Sequence, residues 1–316
     1  MTFVYVLVSN EKDTYYEQTM ISVSSLLQHN KGAKVAILVD QGTAASFTGK
    51  RTFHKNLDAE IRTIQVPEKY NNRDRSRFLK TTMYNYFDED FLFIDGDTLI
   101  CGSLNDIDKS NSIGMVLDRH QNISESSYEN FYDLRAKPLR WHSGYEDKHF
   151  NSGVIWVKKS SEAQKFFDEW HQLWKETLEK YSVVYDQTAL NEVNARLGGV
   201  VKEMDGIWNC QATRRSSFLK YLYNAKIMHY YASFGLTCFD LASKDIQRTI
   251  LDETHPKLDT ILANPKVAFS SVQDVNADLT SVKIQRTKIY RVVTFMYKQL
   301  NFAYRVIDKF FALFIH

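Results

Sequence analysis

The sequence predicts an α/β chain with a mostly parallel central sheet, helices on both faces and a C-terminal helical extension. Three observations carry this. First, short apolar runs recur at Phe3–Val8, Lys34–Val39, Phe91–Ile94 and Ile113–Leu117. Such runs without alternation are strands buried on both faces, the pattern of parallel sheets. Second, Met20, Val23, Ser24 and Leu27 recur at helical spacing between the first two runs. With short polar connections this is the βαβ unit. Third, residues 283–316 contain few helix breakers and read as a helix or helical pair.

The chain has 316 residues, 44% hydrophobic and 14% aromatic. That is enough for one large domain with an appendage, expected as 1–245 and 246–316. A net charge of +2 excludes a global electrostatic case for nucleic acid. Cys101, Cys210 and Cys238 show neither metal spacing nor a disulfide framework, which fits a reducing cytoplasm. The opening Met1–Val8 lacks a basic region and is too short for a signal peptide. No stretch reaches the roughly 20 apolar residues needed to span a membrane.

Taken in order, Phe3–Val8 ends at Ser9-Asn10, and a helix over 17–29 leads to the strand Lys34–Val39, which ends at Asp40. Ile61–Val66 is a third strand, closed by Pro67. Residues 68–80 are basic (Lys69, Arg73, Arg75, Arg77, Lys80), with Phe78, Leu79, Met83 and Phe87 on the apolar side of a helix. Most of these charges read as a solvated face, although one arginine near a carboxylate pair would suit a diphosphate. That pair follows at once, where Phe91–Ile94 runs into Asp95-Gly96-Asp97. Ligands gather at the carboxyl ends of strands in open α/β sheets. Two carboxylates there are hard oxygen ligands for Mg²⁺ or Mn²⁺, and Gly96 lets the chain turn. The plain alternative is an acidic turn.

Ile113–Leu117 is a further strand ending at Asp118, and residues 119–148 read as a long polar, irregular segment. A segment of that kind is usually functional or mobile. Phe150-Asn151-Ser152-Gly153 opens the apolar run to Val157. Residues 161–180 form a helix whose Phe166, Phe167, Trp170 and Trp174 are core. Asp186 opens the next helix, where it could simply be an N-cap. Asp205–Gln211 is a loop, and Lys226–Tyr231 is a last strand containing His229.

As an ordered set, these motifs make residues 3–235 resemble the GT-A glycosyltransferases, a Rossmann-like fold. Within them the likeness is to family 8, which includes glycogenin and bacterial galactosyl- and glucosyltransferases. It rests on Ser22–Leu27, Ser76-Arg77-Phe78-Leu79, Phe93–Leu99, Phe150–Val154, Asp186-Gln187, Trp208-Asn209 and His229. The resemblance implies a Mn²⁺ or Mg²⁺ ion held by Asp95, Asp97 and His229, bridging the phosphates of a UDP-sugar. It implies that Arg77 and Gly96 lie against the donor, with Ser9 and Asn10 at the base, and that Asn151, Asp186 and Gln187 line the donor-sugar pocket. The implied reaction is hexosyl transfer from the UDP-sugar to a glycan or lipid-linked acceptor, with retention at the anomeric carbon.

Two departures stand out. The family's lysine after the histidine is missing from Tyr230–Gly235, which makes Arg214 or Arg215 candidate replacements. The first strand also ends in Ser9-Asn10, where the family often has an acid. Two other classes compete: a sugar-nucleotide pyrophosphorylase, opposed by the absence of glycine from residues 9–20, and a non-catalytic protein of the same fold. In the C-terminal stretch seven basic residues from Lys283 to Lys309 interleave with aromatics, and Asp308 is the only acid. Such a helix lies in a membrane interface, here expected at the inner face of the membrane, or packs on the catalytic domain or a second subunit.

Overall fold

Strand β1 (Thr2–Leu7) accepts a parallel neighbour on each side, β2 (Lys34–Asp40) and β4 (Phe91–Ile94). With β3 (Glu60–Ile64), β6 (Ile113–Leu117), β7 (Phe150–Val157) and β8 (Val201–Glu203) these strands form a 7-stranded sheet ordered β3-β2-β1-β4-β7-β6-β8, in which β1 is third and β4 central. The computed structural model describes residues 1–49, 51–125, 129–181, 185–212, 216–230, 262–263, 265–268, 287–311 and 313.

Alternation along β1 shows why the strands are apolar throughout. Phe3, Tyr5 and Leu7 pack on one face with Tyr16, Met20 and Val23 of α1 (Tyr15–His29). Val4 packs on the other with Leu79 of α3 (Asn72–Thr82), which follows the short α2 (Gln41–Ala45) and β3, and with Trp170 of α5 (Ser161–Tyr181). Both faces are thus removed from water, the arrangement that contiguous apolar strands require. The expected aromatic core of α5 is found: Phe166, Phe167, Trp170 and Trp174 are all buried.

One strand decides where the site falls. β7 runs antiparallel to both β4 and β6. Its N-terminal residues therefore lie beside the C-terminal end of β4, with Ile94 opposite Val154 and the Asp95 amide donating to the Gly153 carbonyl at 2.8 Å. A second, 3-stranded sheet, β5-β10-β9, is built from β5 (Thr98–Ile100), β9 (Cys210–Gln211) and β10 (Ile227–His229). β5 starts one residue after Asp97, and its antiparallel pairing with β10 sets His229 opposite Thr98.

The structure departs from the sequence expectations in three places. Residues 119–148 are not irregular throughout: they contain α4 (Glu129–Ala136). This helix has no strong apolar stripe and is held instead by single contacts, Tyr132 stacked on His149 at 4.1 Å and bonded to Asp118. The loop expected over Asp205–Gln211 contains a 3-10 turn, Gly206–Asn209, and strand β9. The basic helix is not mainly a solvated face: Lys80 is buried, Arg75 pairs with Asp40 at 2.8 Å and Arg77 pairs with Asp186 at 3.0 Å.

The chain forms two compact units, Met1–Ser271 and Val272–His316. The boundary expected at 245/246 lies outside the described residues, as do Arg214, Arg215 and Cys238. In the second unit the extension forms two helices, Lys288–Gln299 and Asn301–Phe311.

Helix α6 (Asp186–Arg196) is fastened to the start of β7 by Asn191. Its side chain accepts from the Phe150 amide at 2.7 Å and donates to the Phe150 carbonyl at 3.0 Å. Asn191→Ala leaves both buried backbone groups unsatisfied, so a loss of about 2–3 kcal/mol is expected. Denaturant unfolding measures it, and a change below about 0.5 kcal/mol, typical of an indifferent surface site, would refute the clamp.

Candidate active site

The Asp95-Gly96-Asp97 turn joins the two sheets, because β4 ends before it and β5 begins after it. Gly96 is dictated by packing: a Cβ there would stand 2.4 Å from Thr19 Oγ1 of α1. The turn brings two carboxylates to the rim of a cleft, and β10 adds His229. Its Nε2 lies 3.2 Å from Asp97 Oδ1, and one ligand atom from each of Asp95, Asp97 and His229 fits within a 4.8 Å cluster.

A chain of side-chain hydrogen bonds orients the imidazole. Asp118 accepts from Tyr132 Oη and from Asn151 Nδ2, both at 2.8 Å. That leaves Asn151 Oδ1 to accept from the Gly153 amide and from Asn209 Nδ2, both at 2.9 Å. Asn209 Oδ1 then faces His229 Nδ1 at 2.9 Å. A carbonyl oxygen can only accept, so Nδ1 donates to it, and Nε2 is the ring nitrogen turned toward Asp97. A partner of this kind on the far ring nitrogen fixes the tautomer of a metal-binding histidine. Gly153 leaves the room: a Cβ there would meet His229 Cε1 at 2.2 Å.

The carboxylates are poised differently. Burial pushes the Asp95 carboxyl above its usual range despite Lys80 beside it, and the charge on Asp97 adds to the rise. Burial acts on Asp97 in the same sense, but His229, with help from the residue's own backbone amide and Lys80, holds that group below its usual range. Lys80 Nζ lies 3.2 Å from both Asp95 oxygens and 3.9 Å from Asp186 Oδ2. Nothing in the sequence separated Lys80 from its basic neighbours; only the tertiary fold sets it between two acids.

Asp186 is the first residue of α6, and the preceding Tyr185 makes no side-chain cap bond. Its carboxylate reaches across the cleft to Arg77 instead, and Trp170 Nε1 holds its backbone carbonyl at 2.8 Å. Burial opposes its ionisation, but Arg77 and Lys80 more than offset this and keep its pKa low. Gln187 Oε1 accepts from the Ser152 amide at 3.2 Å. The fold thus gathers Arg77, Asp95, Asp97, Asn151, Asp186, Gln187 and His229 around one cavity of about 460 Å³.

An adjoining cavity of about 340 Å³ opens beside β1 and shares Arg73, Asp95 and Asp97 with the first. Ser9 and Asn10 are not among its lining residues; Asp13 is. Ser9 Oγ and the Asn10 amide hold the Asp13 carboxylate at 2.6 and 2.9 Å. An acid thus stands close to the end of β1, carried by the following turn and too far along the chain to read as part of the strand.

The large sheet with a smaller sheet set at the end of β4 has the architecture of the GT-A fold. No protein-family model matches the chain, nor does any curated protein. Among solved structures, the galactosyltransferase LgtC in complex with donor and acceptor sugar analogues is 17% identical, with a TM-score of 0.51 over 81% of this chain and 98% of that one. An active-site mutant of LgtC is also 17% identical, with a TM-score of 0.50 over 86% and 97% of the two chains. Mouse xyloside xylosyltransferase 1 is 14% identical, with a TM-score of 0.48 over 73% and 97%. At such identities the likeness is one of fold.

Gly153→Ala is expected to drive its new methyl into the imidazole and break the Asn209–His229 bond. Overpacking of this kind costs about 1–3 kcal/mol. Unfolding measured without added metal tests it, and unchanged stability would mean that His229 can move aside freely.

Proposed function

We propose that the chain is a metal-dependent glycosyltransferase that moves a hexose from a UDP-sugar to a glycan or lipid-linked acceptor, with retention of anomeric configuration. The observation that carries this reading is the Asp95, Asp97 and His229 cluster at the junction of the two cavities. Two carboxylate oxygens and an imidazole nitrogen, with room for further oxygen ligands, suit Mn²⁺ or Mg²⁺. Such an ion would supply Lewis-acid neutralisation of the charge developing on the departing diphosphate.

The chain's own residues account for the rest. The cavity beside β1 takes the nucleoside, with Asp13 as acceptor for a base N–H and the Asp95–Asp97 turn at its inner end. Arg73 lines both cavities and stands in for the cation missing after His229, as a phosphate contact. In the larger cavity Asn151, Asp186 and Gln187 face the sugar. Asp186 is held ionised by Arg77, which suits it to accept from sugar hydroxyls and to stabilise positive charge at the anomeric carbon. In this reading Asp118 acts through Asn151 and sets the orientation of the amide.

The same reading places the protein against an anionic membrane surface. Phe295, Phe302 and Phe310 are exposed on the two terminal helices, alongside Lys288, Arg291, Lys298, Arg305 and Lys309. No described helix is long and apolar enough to cross a membrane, so the contact would be interfacial. The full chain is expected to bind anionic vesicles at low salt and to leave neutral ones. Failure to bind the anionic ones would rule this out.

UDP-sugar hydrolysis with and without Mn²⁺ tests the reaction. Asp97→Ala should remove most activity, since the ion's charge stabilisation is worth several kcal/mol. Near-wild-type turnover by that variant with Mn²⁺ present would sink the site assignment.

A further inference from the structure

Charge pairing within the larger cavity is incomplete. Three of its cations face carboxylates: Lys80 faces Asp95, Arg77 faces Asp186, and Arg119 faces Asp118 at 3.4 Å. Asp97 has His229. The two remaining cations, Arg73 and Arg135, have no carboxylate within 4.0 Å among the described residues. Arg73 also lines the nucleoside cavity, where a diphosphate would meet it. Arg135 lines only the larger cavity, with Phe131 and Tyr185.

Arg135 is held in place rather than left to wander. Its guanidinium carbon lies 3.8 Å from the Phe131 ring centroid and 4.0 Å from that of Tyr185, so the planar group is clamped between two rings. Phe131 and Arg135 share α4, and Tyr185 immediately precedes Asp186. Stacking occupies the two faces of a guanidinium and leaves its edge N–H groups available, the arrangement that presents a bidentate fork to a carboxylate or phosphate. Burial draws its pKa below the ordinary arginine value, and the more distant Asp118 and Asp186 offset this only in part.

The overall balance points the same way. A divalent ion and the two negative charges of a sugar-nucleotide diphosphate offset one another, so donor binding does not supply the charge that Arg135 lacks. We infer that Arg135, clamped between Phe131 and Tyr185, binds an anionic group on the acceptor, making the acceptor a saccharide that carries a phosphate or carboxylate near the hydroxyl to be glycosylated. This rests on the transferase reading above and narrows it from glycans in general to charged ones. The alternative is that Arg135 only ties α4 to the start of α6 through its two stacks.

The test uses the full chain loaded with Mn²⁺ and UDP, and reads binding by calorimetry. Three probes share one hexose: galactose 1-phosphate, galacturonate and methyl galactoside. A charge-assisted, bidentate contact predicts that one of the two anions binds about tenfold or more tightly than the neutral glycoside. The better anion identifies phosphate or carboxylate as the group recognised. Arg135→Gln should abolish that preference, and Arg135→Lys should restore part of it. A purely structural Arg135 would weaken all three probes alike. Equal binding of the probes by the wild type, no binding of any of them, or an anion preference that survives Arg135→Gln would overturn the inference. Failure of the wild type to bind UDP or hydrolyse any UDP-sugar is a separate result and would sink the transferase reading instead.

Discussion

The site depends on one backbone hydrogen bond, from the Asp95 amide to the Gly153 carbonyl at 2.8 Å. It continues the β4–β7 ladder one step beyond the last apolar residue of β4. Because β7 is antiparallel, that step carries the carboxylate turn into register with Asn151-Ser152-Gly153. A parallel strand at this position would have offered its other end. The functional groups of the larger cavity are set from this point: Asn151 and the space at Gly153 from β7, Gln187 through its bond to the Ser152 amide, and α6 through the Asn191 clamp on Phe150.

From that register the polar relay follows with little freedom. Asp118, Asn151, Asn209 and His229 are all buried, and unpaired polar groups at such depth cost more than a hydrogen bond returns. Each amide is forced into one orientation by a neighbour that can act in only one sense, the ionised Asp118 at one end and the Gly153 amide at the other. His229 inherits the result. Rigidity here comes from exhausting the alternatives rather than from any one strong bond.

The sheet and the carboxylate turn were legible in the sequence because their signals are local. Phe91–Ile94 is apolar on both faces, and Asp95 and Asp97 follow it directly. What escaped was whatever depends on distant partners. β5 and β9 have three and two residues, too short for any period to show. α4 owes its place to stacking by Tyr132 and Arg135 rather than to an apolar stripe. Asp118 read only as the end of a strand, since nothing local announces that Asn151 will reach it. Lys80 was hidden by company: in a run of five basic residues, burial of one is a tertiary fact.

Lys80 also bears on how the resting protein endures. Close-set acids usually destabilise a fold unless a counter-ion is present, and proteins built that way unravel when stripped by chelators. Here an ammonium group already sits 3.2 Å from both oxygens of Asp95, with Asp186 as a second partner at 3.9 Å. Asp95 is thus balanced from within the chain, and Asp97 by His229. On the proposed function, an arriving dication would displace a resident rather than fill a void, so architecture and cargo would be uncoupled and the sheet junction would hold together with the cleft empty.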